Sequence, residues 1–210
     1  MIHIENVTLT IKNKEILKDV NMYLEAGKIH GLVGRNGSGK TMLMKCICGF
    51  VRTTAGKILV DGMEIGKDTD FTKDTGVIIE TPGFISHKSG FENLKILAGC
   101  RKVIDTEEIK KAISLMGLDP DDRLPVKKYS LGMRQRLGIA QAVMEKPKLL
   151  VLDEPFNGLD EEGVTLVREI LLAEKERGAT IILSSHNAGD IFLLCDTVHR
   201  ASKGIFTKEK

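Results

Sequence analysis

Apolar and polar residues alternate through positions 1–10 and again through 16–24, the two-residue period of half-buried strands, with Asn13-Lys14 as the expected turn between them. Short apolar runs at 29–33, 58–60 and 77–79 predict three further strands, the first followed by a glycine-rich loop and a helix over 41–47. From 90 to 147 the pattern changes to long charged helical stretches at 91–98, 106–116 and 131–146, with no strand among them. Thr106 is the expected N-cap of the second stretch, because Glu107 and Glu108 follow in the dipole-favoured first turn, and Gly117 is its expected stop. The strand–helix rhythm then returns. Residues 149–152 are wholly apolar, as a strand buried on both faces should be. A helix over 161–176 carries Val164, Val167 and Leu171 on one face, and a strand at 180–183, a helix at 187–194 and an edge hairpin at 197–206 complete the chain. The pattern predicts an α/β fold with a mostly parallel sheet, antiparallel N-terminal strands and a helical subdomain over 90–147 inserted in a single domain spanning 1–210.

Composition narrows the chemistry. With 42% apolar residues the chain can build a core, and with 4% aromatics and no Trp it is poor in stacking surface for single-stranded nucleic acid. A formal charge of +2, from 31 basic and 29 acidic residues, implies no broad basic face, so no nucleic-acid partner is expected. Cys46, Cys48, Cys100 and Cys195 make no CxxC pair and read as free thiols of a reducing compartment. The N-terminal stretch lacks the apolar run of a signal peptide, and no window approaches the roughly eighteen apolar residues of a membrane span. The expected location is cytoplasmic, with any membrane reached through another protein.

Gly34-Arg35-Asn36-Gly37-Ser38-Gly39-Lys40-Thr41 fills every fixed position of the GxxxxGK[ST] pattern, after a strand and before a helix. Glycines let successive backbone N–H groups turn inward around phosphate oxygens, and the helix start presents its positive end to the same anion. Lys40 is expected to reach the β- and γ-phosphates and Thr41 to offer its hydroxyl to Mg²⁺, with Met42 completing the nucleotide-contacting run. By itself this motif indicates a nucleotide site and leaves kinases, GTPases and motor ATPases open.

The 149–152 strand ends in Asp153 and Glu154, which a parallel sheet presents at its ligand edge. Asp153 is placed to hold a metal, directly or through water. Glu154, on the alternate side, is placed to polarise an attacking water. A second apolar strand ends Ser184-Ser185-His186 and brings His186 out at the same kind of edge, near the expected γ-phosphate; a capping role is the bland reading. Asn157-Gly158-Leu159-Asp160 would, in isolation, be an N-cap turn.

Together these segments resemble the nucleotide-binding domains of ABC transporters, over essentially the whole chain. The most discriminating stretch is Tyr129-Ser130-Leu131-Gly132-Met133-Arg134-Gln135-Arg136, which is similar to the family's signature sequence. The resemblance implies a phosphate-loop NTPase core that binds ATP and Mg²⁺ and works as two head-to-tail copies, either identical or homologous. Ser130 and Gly132 would reach the γ-phosphate held by the opposite copy. Asp153 would be the metal carboxylate, Glu154 the general base and His186 the switch histidine, while 157–160 would cross the dimer interface. An integral membrane permease would be the partner, holding the protein on the inner face of the cell membrane.

Three departures from the family pattern stand out. Leu131 and Met133 occupy signature positions where glycine and glutamine are usual. Glu80 stands where a glutamine usually closes a strand, and a carboxylate there would be a stronger anionic ligand for Mg²⁺. Ile11 stands where an aromatic usually meets adenine, so the base would rest on aliphatic surface. Glu80 and the signature resemble those of bacterial exporters of lantibiotics and bacitracin. The alternative is an ABC ATPase without a membrane partner, such as one serving iron–sulfur assembly.

Overall fold

The structure, a computed structural model, describes residues 1–186 and 188–210. Two sheets organise it. The first is antiparallel throughout and runs in the order β2-β1-β4-β5, from β1 (Ile2–Ile11), β2 (Lys14–Leu24), β4 (Ala55–Val60) and β5 (Met63–Glu64). The second comprises β3 (Ile29–Val33), β6 (Thr75–Ile78), β7 (Leu149–Asp153), β8 (Thr180–Ser185), β9 (Thr197–Ser202) and β10 (Ile205–Lys208). Its order is β10-β9-β3-β8-β7-β6, parallel except for the antiparallel edge pair β9–β10. The α/β class, the mostly parallel sheet and the antiparallel N-terminal strands are those expected.

The strand pleat divides the core. Leu150, Leu152, Ile181 and Leu183 face one way and pack with α2 (Gly90–Arg101), α3 (Thr106–Leu115), α4 (Leu131–Val143), α5 (Glu161–Glu176) and α6 (Ala188–Leu194). Leu149, Val151 and Ile182 face the other way, onto α1 (Lys40–Cys48) and the first sheet. Burial on both faces explains why β7 reads as an unbroken apolar run. Helix α1 is held between the sheets by Leu43, Met44 and Ile47, all fully buried, so its N-terminus is fixed relative to the ends of β3 and β7.

Local differences from the sequence reading have local causes. The first hairpin turns on Lys12 and Asn13, both left-handed (φ 45° and 64°), because a two-residue turn matches the strand twist in that conformation. Asp105, not Thr106, caps α3, accepting from the Glu108 N–H in a reciprocal capping box. Helix α4 stops at Val143, ahead of Lys146 in a left-handed conformation (φ 50°) and Pro147. Strand β5 carries no sequence signal of its own and forms by pairing with β4. The helix expected from 187 is α6, with Asn187 outside the described residues. Among the described residues no helix is long and apolar enough to cross a membrane.

Candidate active site

The loop between β3 and α1 can form only with glycine at two of its positions. Gly34 lies at φ 152°, where an added Cβ would stand 2.3 Å from the Ala201 carbonyl oxygen. Gly39 caps α1 at φ 110°, and a Cβ there would meet Leu17 at 3.0 Å and the Ile16 carbonyl at 3.2 Å. The Lys40 ammonium is buried and donates to the loop's own carbonyls, Gly34 O at 2.6 Å and Arg35 O at 3.4 Å. Ser38 Oγ, buried close by, has no hydrogen-bond partner among the described residues. A buried ammonium, a buried hydroxyl without a partner among the described residues and a helix N-terminus with no side-chain cap are together suited to an anion.

Parallel pairing of β7 with β8 sets Asp153 beside Ser184. Asp153 Oδ2 accepts from Thr41 Oγ1 at 2.6 Å, and its Oδ1 from Ser184 Oγ at 2.5 Å. The next residue, Glu154, takes a left-handed backbone (φ 52°), unusual for a non-glycine residue and costing about 1–2 kcal/mol. Its N–H donates to Ser184 Oγ at 3.0 Å, so this one hydroxyl bonds both acidic residues. The Glu154 carboxylate meets His186 Nδ1 at 2.9 Å and the His186 N–H at 3.3 Å.

A cleft of about 380 Å³ opens over these groups, walled by the loop from Asn36 to Met42, by Asp153 and Glu154, and by Lys14 and Ile16. Thr41 and Asp153 fit Mg²⁺, a hard cation that takes one or two protein oxygens and leaves the rest of its shell to water and phosphate. Among the described residues no cluster of three His, Cys, Asp or Glu side chains could hold a metal alone.

Other expected residues lie outside the cleft wall. Ile11 is exposed at the tip of the β1–β2 hairpin; the aliphatic residue that lines the cleft is Ile16, on the returning strand. Glu80 has a left-handed backbone (φ 63°), and its carboxylate pairs with Lys45 Nζ at 2.6 Å. Lys45 lies one turn beyond Thr41 on α1. The Arg35 side chain is exposed.

The signature segment and Asp160 form a second edge. Ser130 caps α4, its hydroxyl accepting from the Met133 N–H at 3.1 Å. Leu131 is exposed and lies across Gly158, where a Cβ would come within 2.5 Å of it. Gly132 sits so close to the Gly158 carbonyl that a Cβ would stand 2.9 Å from it. Asp160 caps α5, accepting from the Gly163 N–H at 2.9 Å and from Arg136 Nη2 at 2.7 Å; the Gly163 bond, then Arg136, hold its carboxyl below the usual range. Sequence reasoning singled out neither Ser184 nor Ile16. Serine at a strand end and isoleucine within a strand are too common to mark a site, and only the strand order brings them to it.

The family model described as ABC transporter matches residues 17–157. The uncharacterized ABC transporter ATP-binding protein YybJ of Bacillus subtilis (strain 168) is 45% identical, over 100% of this chain and 97% of its own length. The lantibiotic transport ATP-binding protein SrtF of Streptococcus pyogenes is 39% identical, over 100% of this chain and 90% of its own. In fold, the chain superposes on the dimeric structure of MJ0796, a bacterial ABC transporter cassette, with a TM-score of 0.90 at 21% identity, covering 100% of this chain and 98% of that one. A phosphate-type loop whose Lys40 is buried, facing two carboxylates, within a matched family model and a relationship over the whole of this chain, establishes that the chain belongs to the ABC transporter family as an ATP-binding, ATP-hydrolysing domain.

Proposed function

We propose that the chain hydrolyses ATP at a composite site between two head-to-tail copies and thereby drives a separate membrane permease. The observation that carries this reading is the convergence of Lys40, Thr41, Asp153, Ser184, Glu154 and His186 around one cleft. In it, loop N–H groups and Lys40 hold the β- and γ-phosphates. Thr41 and Asp153 hold Mg²⁺, which when bound offsets phosphate charge. Glu154 takes a proton from water as the water oxygen bonds to the γ-phosphorus, and the bond to the β–γ bridging oxygen breaks to release ADP. His186 orients the Glu154 carboxylate and faces the γ-phosphate. Ser130 and Gly132 close on the nucleotide of the opposite copy, with 157–160 crossing the interface and 90–147 acting as the helical subdomain that carries the signature.

The cargo is an antimicrobial peptide, lipid or drug exported through the permease, with a peptide of the lantibiotic or bacitracin kind the leading candidate. The name of the SrtF relative supports this, as does Glu80 in place of glutamine. The permease grips the surface over 81–91, where Ile85 is exposed while Phe84 packs on the core. The protein would then sit peripherally on the inner face of the membrane.

The deciding experiment is Glu154→Gln. Loss of the base should slow turnover by about 10²- to 10⁴-fold while ATP affinity holds. Light scattering during size exclusion should detect an ATP-bound dimer that ADP does not support. Wild-type turnover would remove Glu154 from the mechanism, and a slow but strictly monomeric variant would remove closure of this chain on itself.

A further inference from the structure

Helix α4 touches the segment after β7 at several points, and only one of them reaches the residue proposed as the base. Gln135, buried to 7% exposure, donates through Nε2 to the Pro155 carbonyl at 3.0 Å and to the Glu154 carbonyl at 3.3 Å. Both partners are acceptors, so the amide's NH₂, and not its oxygen, must face them. The Glu154 peptide is thereby tied at both ends, its N–H to Ser184 Oγ and its C=O to Gln135, across a left-handed residue that the β7 strand by itself would not adopt. If that turn relaxed to extended backbone, the carboxylate would leave the cleft and His186. Gln135 lies just over one helical turn after Ser130, on the helix that Ser130 caps.

We propose that Gln135 is a positioning residue for hydrolysis: from the signature helix it fixes the backbone of Glu154 so that the carboxylate faces the γ-phosphate position. The inference rests on the assignment of Glu154 as general base. It makes the signature helix a support of its own chain's base, in addition to any contact with a partner's nucleotide. The neighbouring contacts, Arg136 with Asp160 and Leu131 with Gly158, hold the same loop further along and do not touch Glu154.

The test uses the full chain with Gln135→Leu and Gln135→Glu, alone and combined with Glu154→Gln, after thermal melts identify the folded variants. Leucine removes the donors. Glutamate keeps the shape and sets an acceptor against two acceptors, so it carries the test if leucine does not fold. With Glu154 intact, kcat should fall by about 10- to 10²-fold, the scale of a misplaced reacting group, with binding of a fluorescent ATP analogue within about twofold of wild type. With Glu154→Gln already present, removing Gln135 should cost less than about twofold more, because it acts only through the base. A purely structural role would instead lower binding and multiply the two losses, and that result overturns the proposal. So does wild-type kcat in the Gln135 variants beside a slow Glu154→Gln. Wild-type turnover in Glu154→Gln itself would instead sink the base assignment on which the proposal stands.

Discussion

The Lys40 edge and the Ser130 edge of this molecule are built on opposite principles. At the first, polar side chains from three elements converge on one cleft: Lys40 is buried, Thr41 and Asp153 are bonded to each other, and Ser184 ties both carboxylate residues to the sheet. At the second, the side chains bond locally. Ser130 and Asp160 each cap the helix they begin, and Leu131 lies exposed over Gly158. The first edge gathers its polar groups around a cleft, whereas the second presents capped helix ends and an exposed leucine. The difference is the reason to place the second edge against another copy's nucleotide.

The severest way to break the contrast is to weaken the sheet that supports both edges. His199 is buried on β9, its Nδ1 has no partner among the described residues, and burial lowers its pKa from 6.5 to about 4. The unfolded chain would take a proton near pH 6.5 that the folded chain refuses, so stability is full above pH 6.5 and falls until about pH 4. The loss amounts to roughly 3 kcal/mol. Denaturant titrations at pH 7 and pH 4.5 should show it, and His199→Gln should remove most of the difference. An equal pH slope in the variant would place the acid sensitivity elsewhere.

Separating the edges comes next. Lys40→Ala should weaken ATP binding by about 10- to 10²-fold, the scale of a lost charge-assisted contact, as read by calorimetry. Ser130→Ala should leave single-chain ATP affinity unchanged and reduce turnover. Equal affinity losses would mean that both edges serve one chain's nucleotide. A smaller effect belongs to Asp160→Ala, which removes a helix cap and the Arg136 partner and should lower the denaturant midpoint of unfolding by a small, measurable step. Smallest is Glu80→Gln, which frees Lys45 and should shift the Mg²⁺ dependence of hydrolysis about twofold to fivefold, on the scale of one partly exposed ion pair. An unchanged Mg²⁺ titration would leave Glu80 as the ion-pair partner of Lys45 and no more.

What the chain determined by itself is what short-range rules encode. Glycines 34 and 39 with Lys40-Thr41 announce an anion-binding loop, because at those two positions no other residue type permits that backbone so close to its neighbours. The apolar run of β7 announces a strand buried on two faces, and the carboxylates at its end announce a ligand edge. Tertiary structure alone decided who meets whom. Thr41 and Asp153 are 112 positions apart, and Asp153 and Ser184 are 31 apart, yet the order β3-β8-β7 makes them neighbours. Nothing local distinguishes Ser184 from any serine, Gln135 from any helical glutamine, or Ile16 from Ile11. Pairing register and helix placement, fixed by burying two apolar faces at once, chose the ones that reach the cleft or its base. The same packing took Glu80 to Lys45, since side-chain partners are settled by the neighbour within reach, a quantity that residue type alone does not carry.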